Sequence, residues 1–136
     1  MASRMKRVIS AAPCSGIEGD AASTDCARWR DTFARAGFEA PIHAHRFDAH
    51  HAAICQPLDA YRPRPNDVLL FHYTTWTPAA EHLLALGRPL VLMYHNVTPP
   101  EFFAGLDQEA EAATRRGRAE LGRFAPLCQL AVAKSE

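Results

Sequence analysis

The chain has 136 residues, 48% of them hydrophobic and 22% charged, which is enough apolar material for one cored domain and too much for a disordered chain. Lysine and arginine together number 15, against 15 aspartates and glutamates, so no net field draws the protein toward nucleic acid or anionic lipid. No apolar run approaches the ~20 residues that cross a bilayer.

Arg7–Ala12 reads as a short buried strand. Pro13–Asp20, P-C-S-G-I-E-G-D, is a turn with Gly16 and Gly19, and Asp20 or Ser23 is the expected cap of the helix that follows. In that helix Ala22, Cys26, Trp29, Phe33 and Ala36 recur at helical spacing as one apolar stripe, which Gly37 ends. Glu39–His45 alternates loosely, and Pro41, which has no amide hydrogen, predicts an edge strand. Residues 46–66 are rich in proline and histidine and read as a loop, with one helical turn around Ala49–Cys55.

Asp67–Tyr73, D-V-L-L-F-H-Y, is a continuous apolar strand of the kind buried on both faces. Thr77 is the expected cap of the next helix, with Pro78 in its first turn. Ala80, Leu83 and Leu84 line that helix and Gly87 ends it. Pro89–Tyr94 is the next strand. It emerges into His95, Asn96, Val97, Thr98 and two prolines that stiffen the exit, and Phe102 and Phe103 are expected to pin this segment to the core.

Asp107–Arg123 reads as a long helix, with Leu106, Ala110, Ala113, Leu121 and Phe124 on its apolar side and Gly117 interrupting it. Its early glutamates and late arginines match the helix dipole. Arg115, Arg116, Arg118 and Arg123 read as a solvated helix face rather than a nucleic-acid patch. Gln129–Ala133 is a last strand. The alternation of strands and helices predicts an α/β, Rossmann-like domain with a mainly parallel sheet and helices on both faces.

The four cysteines, Cys14, Cys26, Cys55 and Cys128, form no C-x-x-C pair, and Met5-Lys6-Arg7 precedes only a short apolar strand. Free thiols in a reducing cytoplasm are the expectation.

Parallel sheets bind ligands outside the carboxyl ends of their strands. Three segments fall there: the Pro13–Asp20 loop, His72-Tyr73-Thr74-Thr75-Trp76, and His95-Asn96-Val97-Thr98. Small residues such as Gly16 and Gly19 let a backbone approach a ligand at a helix start, although taken alone they favour an ordinary strand-to-helix turn. His95 alone is compatible with a buried histidine bonded to backbone. With Asn96 and Thr98 beside it, it suits a hydroxyl-rich ligand. His43, His45, Asp48, His50 and His51 contain an H-x-H pair of the kind that binds zinc, but no full ligand set accompanies it, so a polar loop is expected and no metal.

The strand D-V-L-L-F-H-Y followed by Y-H-N-V-T-P-P-E-F-F resembles the amino-terminal half of the GT-B glycosyltransferases of family 4, the group 1 glycosyltransferases. Residues 67–136 carry the specific likeness and residues 6–45 match in layout, including a looser match at S-G-I-E-G-D-A-A-S. The resemblance implies an acceptor-side Rossmann-like domain and retaining, metal-free and cofactor-free transfer from a nucleotide-sugar to an acceptor hydroxyl.

It also implies a catalytic position for His95 near the transferring sugar. The substrate-binding set is then Gly16, Gly19, His72, Tyr73, Thr74, Asn96 and Thr98. The donor-contacting E-x7-E motif belongs to the family's second domain, for which 136 residues leave no room. The expectation is therefore one domain over residues 1–136, an incomplete half without the donor-binding domain, inactive by itself. Its expected partners are a sugar or lipid-linked acceptor and a second domain supplied separately, with no nucleic acid and no indicated membrane contact. The alternative is a stand-alone, non-catalytic sugar- or partner-binding module.

Overall fold

A computed structural model describes residues 5–15, 21–49 and 52–134. Its frame is a six-stranded sheet of β1 (Val8–Ser15), β2 (Ile42–Phe47), β3 (Cys55–Pro57), β4 (Val68–Tyr73), β5 (Leu90–Tyr94) and β6 (Cys128–Ala133). All pairings are parallel, in the order β3-β2-β1-β4-β5-β6. The helices are α1 (Ala21–Arg35), α2 (Pro78–Leu86) and α3 (Gln108–Glu120). The fold is Rossmann-like, as the alternation predicts. Winding runs outward from β1 to one edge and then, from β4, to the other, so β1 and β4 flank the point where its direction reverses.

Strand periodicity sorts the core into two layers. Leu69, Phe71 and Tyr73 of β4 pack with Ile9, Leu92, Phe124 and the α2 residues Ala79, Ala80 and Leu83. On the opposite face Leu70 joins Val8 and Met93 under Trp29 and Phe33 of α1. Burying one such large side chain contributes about 1.5–3 kcal/mol. Stability is therefore concentrated in β1, β4 and β5 rather than in β6, where Leu130 is 58% and Val132 38% exposed.

Several local expectations are corrected by packing. β2 is an interior strand between β1 and β3, not an edge. Pro41 lies just before it and contributes its carbonyl, which accepts from the Ser10 amide at 3.1 Å, so the missing donor costs one bond at the strand's start. Residues 46–66 contain a strand, β3, and a short 3-10 turn at Leu58–Ala60, whose residue Leu58 is buried. Ser23 is buried inside α1, and Asp20 lies outside the described residues. Thr77 has the extended backbone of a cap and Pro78 follows it, but the Thr77 side chain makes no capping bond. Asp107 does cap α3, accepting from the Ala110 amide at 2.9 Å.

Gly117 does not interrupt α3. It is the point of closest approach: an added Cβ would lie 3.0 Å from the Trp76 amide nitrogen and 3.2 Å from the Thr75 Cα. Of the two phenylalanines expected to pin the exit of β5, Phe102 is exposed and Phe103 half-buried, and Leu106, expected on the apolar side of α3, is exposed. Val97 and Pro100 of the β5 exit are buried. The arginine cluster is largely ion-paired, Arg115 to Glu111, Arg116 to Glu81 and Glu120, and Arg123 to Glu81 and Glu120.

The amino-terminal ends of β1 and β4 are tied by a buried ion pair that the sequence reading missed. Arg7 Nε and Nη2 donate to the two Asp67 carboxylate oxygens at 2.9 and 2.6 Å. Tyr61 Oη and the Arg64 amide also donate to Asp67. Burial alone would raise the Asp67 pKa, but these donors outweigh it and hold the carboxyl below its ordinary value.

Candidate functional site

The site is built by register. His72 on β4 stands opposite Met93 on β5. His95 lies two residues beyond Met93, so it faces the same way, toward α1. The ladder runs one bond past the strand: the His95 amide donates to the Tyr73 carbonyl at 3.0 Å and fixes the histidine's backbone. His72 Nδ1 and His95 Nε2 are then 3.1 Å apart, one carrying the proton and the other accepting it. The ring centroids are separated by 5.3 Å.

Two further groups converge on this pair. Asp25 of α1 places Oδ2 4.0 Å from His95 Nε2. Lys134, immediately after β6, places Nζ 3.1 Å from Asp25 Oδ1. The Lys134 backbone is fixed by its own amide, which donates to the Tyr94 carbonyl at 3.2 Å. Beside these groups lies a cleft of about 310 Å3, with Asp25, Arg28, His95 and Lys134 among its polar groups and Trp29 and Met93 in its wall.

His72 is sealed behind His95. Burial first, and the adjacent His95 second, push its pKa down to about 4; Asp25 opposes them. The ring is neutral at pH 7. Its Nε2 is buried without a hydrogen-bond partner among the described residues.

The predicted site residues divide by strand parity. His72 and His95 come together, but His72 has no exposed surface and so does not itself line the cleft. Tyr73 points to the opposite face, is fully buried, and donates from Oη to the Gly117 carbonyl at 2.5 Å. Burial raises its pKa to about 12. It belongs to the core rather than to the cleft. Thr74 is half-buried, and Thr98 is exposed.

Asn96 is exposed with φ of 54°. Asparagine tolerates this left-handed conformation better than most residues, so its place after His95 is explained by the chain reversal that buries Val97. Gly16 and Gly19 lie outside the described residues.

His43 is buried, bonds the Pro57 carbonyl through Nδ1 at 3.1 Å and lies 5.3 Å from the Tyr61 ring. Burial lowers its pKa. His45 and Asp48 are exposed, and His50 and His51 lie outside the described residues. Among the described residues, Cys26, Cys55 and Cys128 form no disulfide with one another.

Sequence reading missed Asp25 and Lys134. A signal for the first existed: Asp25, Arg28, Trp29 and Thr32 share one helix face at spacings of three, four and seven, and all four line the cleft. Lys134 carried none, because only the sheet order brings the end of β6 to α1.

Compared with protein-family models and with curated proteins, the chain matches none.

Proposed function

We propose that this chain is the acceptor-side half of a retaining glycosyltransferase and binds a hydroxyl-rich acceptor at the cleft beside His95. The observation that carries the reading is the position of His95. It is supplied by the Y-H-N-V-T-P-P-E-F-F segment that resembles the family, and it lines a cleft at the carboxyl end of β5. Ligands of open parallel sheets gather at such ends. The other resembling segment supplies His72, whose ring braces His95 from behind at 3.1 Å.

The chemistry of the cleft fits a polyhydroxylated compound. Imidazole, carboxylate, guanidinium and ammonium groups offer both donors and acceptors to hydroxyls, and the Trp29 and Met93 wall offers apolar surface to a ring's C–H face. In the complete reaction the acceptor oxygen forms a bond to the anomeric carbon, the nucleoside diphosphate leaves, and the acceptor proton is lost. The donor is held by a second domain, so this chain binds acceptor without turning over nucleotide-sugar.

Ligand-observed NMR on chelator-treated protein, with a panel of monosaccharides and glycosides, tests the reading. The expected result is binding in the range of about 1 mM, near −4 kcal/mol, weakened at least about ten-fold in His95→Ala, with the exposed His45→Ala unchanged. Absence of binding across the panel, or equal binding by His95→Ala, overturns it. Release or transfer of sugar from a nucleotide-sugar by this chain alone overturns the division of labour.

A further inference from the structure

Three nitrogen and oxygen donors from three different elements converge at the head of the cleft. His72 Nδ1 from β4, His95 Nε2 from the end of β5 and a carboxylate oxygen of Asp25 from α1 all lie within 4.8 Å of one another. A hydrogen bond accounts for the two imidazoles and Lys134 for one oxygen of the carboxylate, while the other oxygen approaches the same imidazole nitrogen. We propose that Asp25, His72 and His95 form a binding site for one divalent transition-metal ion of the zinc class, with the remaining coordination position open to the cleft.

The geometry is close to what such an ion needs. Bonds of about 2.0–2.2 Å in a tetrahedral arrangement set neighbouring donor atoms about 3.3–3.6 Å apart. The two ring nitrogens stand at 3.1 Å. Asp25 Oδ2 is 4.0 Å from His95 Nε2 and all three donors lie within 4.8 Å of one another, so a carboxylate shift of about 1–1.5 Å completes the set. Two imidazoles and one carboxylate suit zinc, cobalt or nickel, whereas magnesium and calcium prefer oxygen alone.

The supporting shell is also present. Lys134 Nζ binds Asp25 Oδ1 and leaves Oδ2 directed at His95, so lysine and metal use different oxygens of one carboxylate. Three protein ligands with an open fourth position are the pattern of sites that bind water or an exchangeable anion. Arg28 and Lys134 on the cleft favour the anion. This inference goes beyond the sugar reading and does not depend on it, because metal is titrated with no glycoside present.

The test is calorimetric titration of the chelator-stripped chain with Zn2+, paired with the visible spectrum of its Co2+ form. The expected outcome is one ion per chain and d–d bands of a four- or five-coordinate site. Asp25→Ala and His95→Ala should each weaken binding at least about ten-fold and abolish the cobalt bands; His45→Ala should do neither. Circular dichroism verifies that the variants are folded, and the partly exposed Asp25 carries the test if His95→Ala does not fold. Lack of saturable one-to-one binding, or undiminished binding in the folded variants, overturns the proposal.

Discussion

His72 has no surface open to solvent, and its ring prefers to remain neutral: burial holds the pKa near 4, against an ordinary value of 6.5. Above pH 6.5 both folded and unfolded chains carry the ring uncharged, and the stability of the folded state is fully present. As pH falls below 6.5 the unfolded chain takes up the proton and the folded chain does not, so stability drains until the folded pKa is reached. Between pH 7 and 5 the metal-free protein should lose about 2 kcal/mol from this residue. His43, also lowered by burial, adds in the same direction. Urea unfolding at a series of pH values measures this, and a His72→Gln chain should show a flatter profile. Equal slopes for the two chains would place the proton uptake elsewhere.

Asp67 is a second residue whose charge is fixed by its neighbours. It is nearly sealed, with Arg7, Tyr61 and the Arg64 amide all donating to it. Asp67→Ala leaves the Arg7 guanidinium buried without its counter-charge, and denaturant titration should find a loss of about 3–5 kcal/mol.

At the scale of elements, α3 acts as a latch on both loops of the site. The Trp76 amide donates to the Ala113 carbonyl at 3.3 Å and Tyr73 Oη donates to Gly117, which holds the exit of β4. Arg118 donates twice to the Val97 carbonyl, at 3.0 and 2.9 Å, which holds the exit of β5. Trp76 is also covered by two guanidiniums, Arg116 at 4.6 Å and Arg123 at 5.3 Å from its ring centroid. The glycine at 117 permits the close approach, because the atoms a methyl group would strike are backbone and cannot swing aside. Alanine is the better helix former by about 1 kcal/mol, yet Gly117→Ala should destabilise by about 1–3 kcal/mol through overpacking. A thermal melt decides the sign: a stabilised variant would mean that α3 can lift from the 74–76 segment without loss.

For the whole molecule, the two sheet edges differ. β3 is three residues long, whereas β6 is six residues long and lies at the far edge with its outer side unpaired among the described residues. Leu130 and Val132 of β6 pair with Val91 and Met93, so they extend the α1-side apolar layer to the sheet edge, where both are exposed. A long exposed edge of this kind templates pairing with another chain. Sedimentation velocity should find concentration-dependent self-association, reduced by Leu130→Lys. A wild-type chain that stays monomeric at every concentration would contradict this.

What the sequence determined by itself was the type and order of most elements. The apolar run at residues 68–73, the stripe through Cys26, Trp29 and Phe33, and the stop signals at Gly37 and Gly87 are local patterns, and local backbone preferences with side-chain periodicity suffice to read them. β3 escaped because three residues among prolines hold no periodicity, and β2 was misplaced because Pro41 signals an edge only if its amide is the one the ladder needs. The meeting of His72 with His95 was legible, since parallel neighbours deliver their ends to one rim. The rest of the site was decided by tertiary structure. Strand parity turned Tyr73 into the core while its neighbour His72 turned toward α1, and helix docking and sheet order brought Asp25 and Lys134 to the same point. Neither partner is near the histidines in sequence, and the register and packing that join them are properties of the folded sheet rather than of any segment.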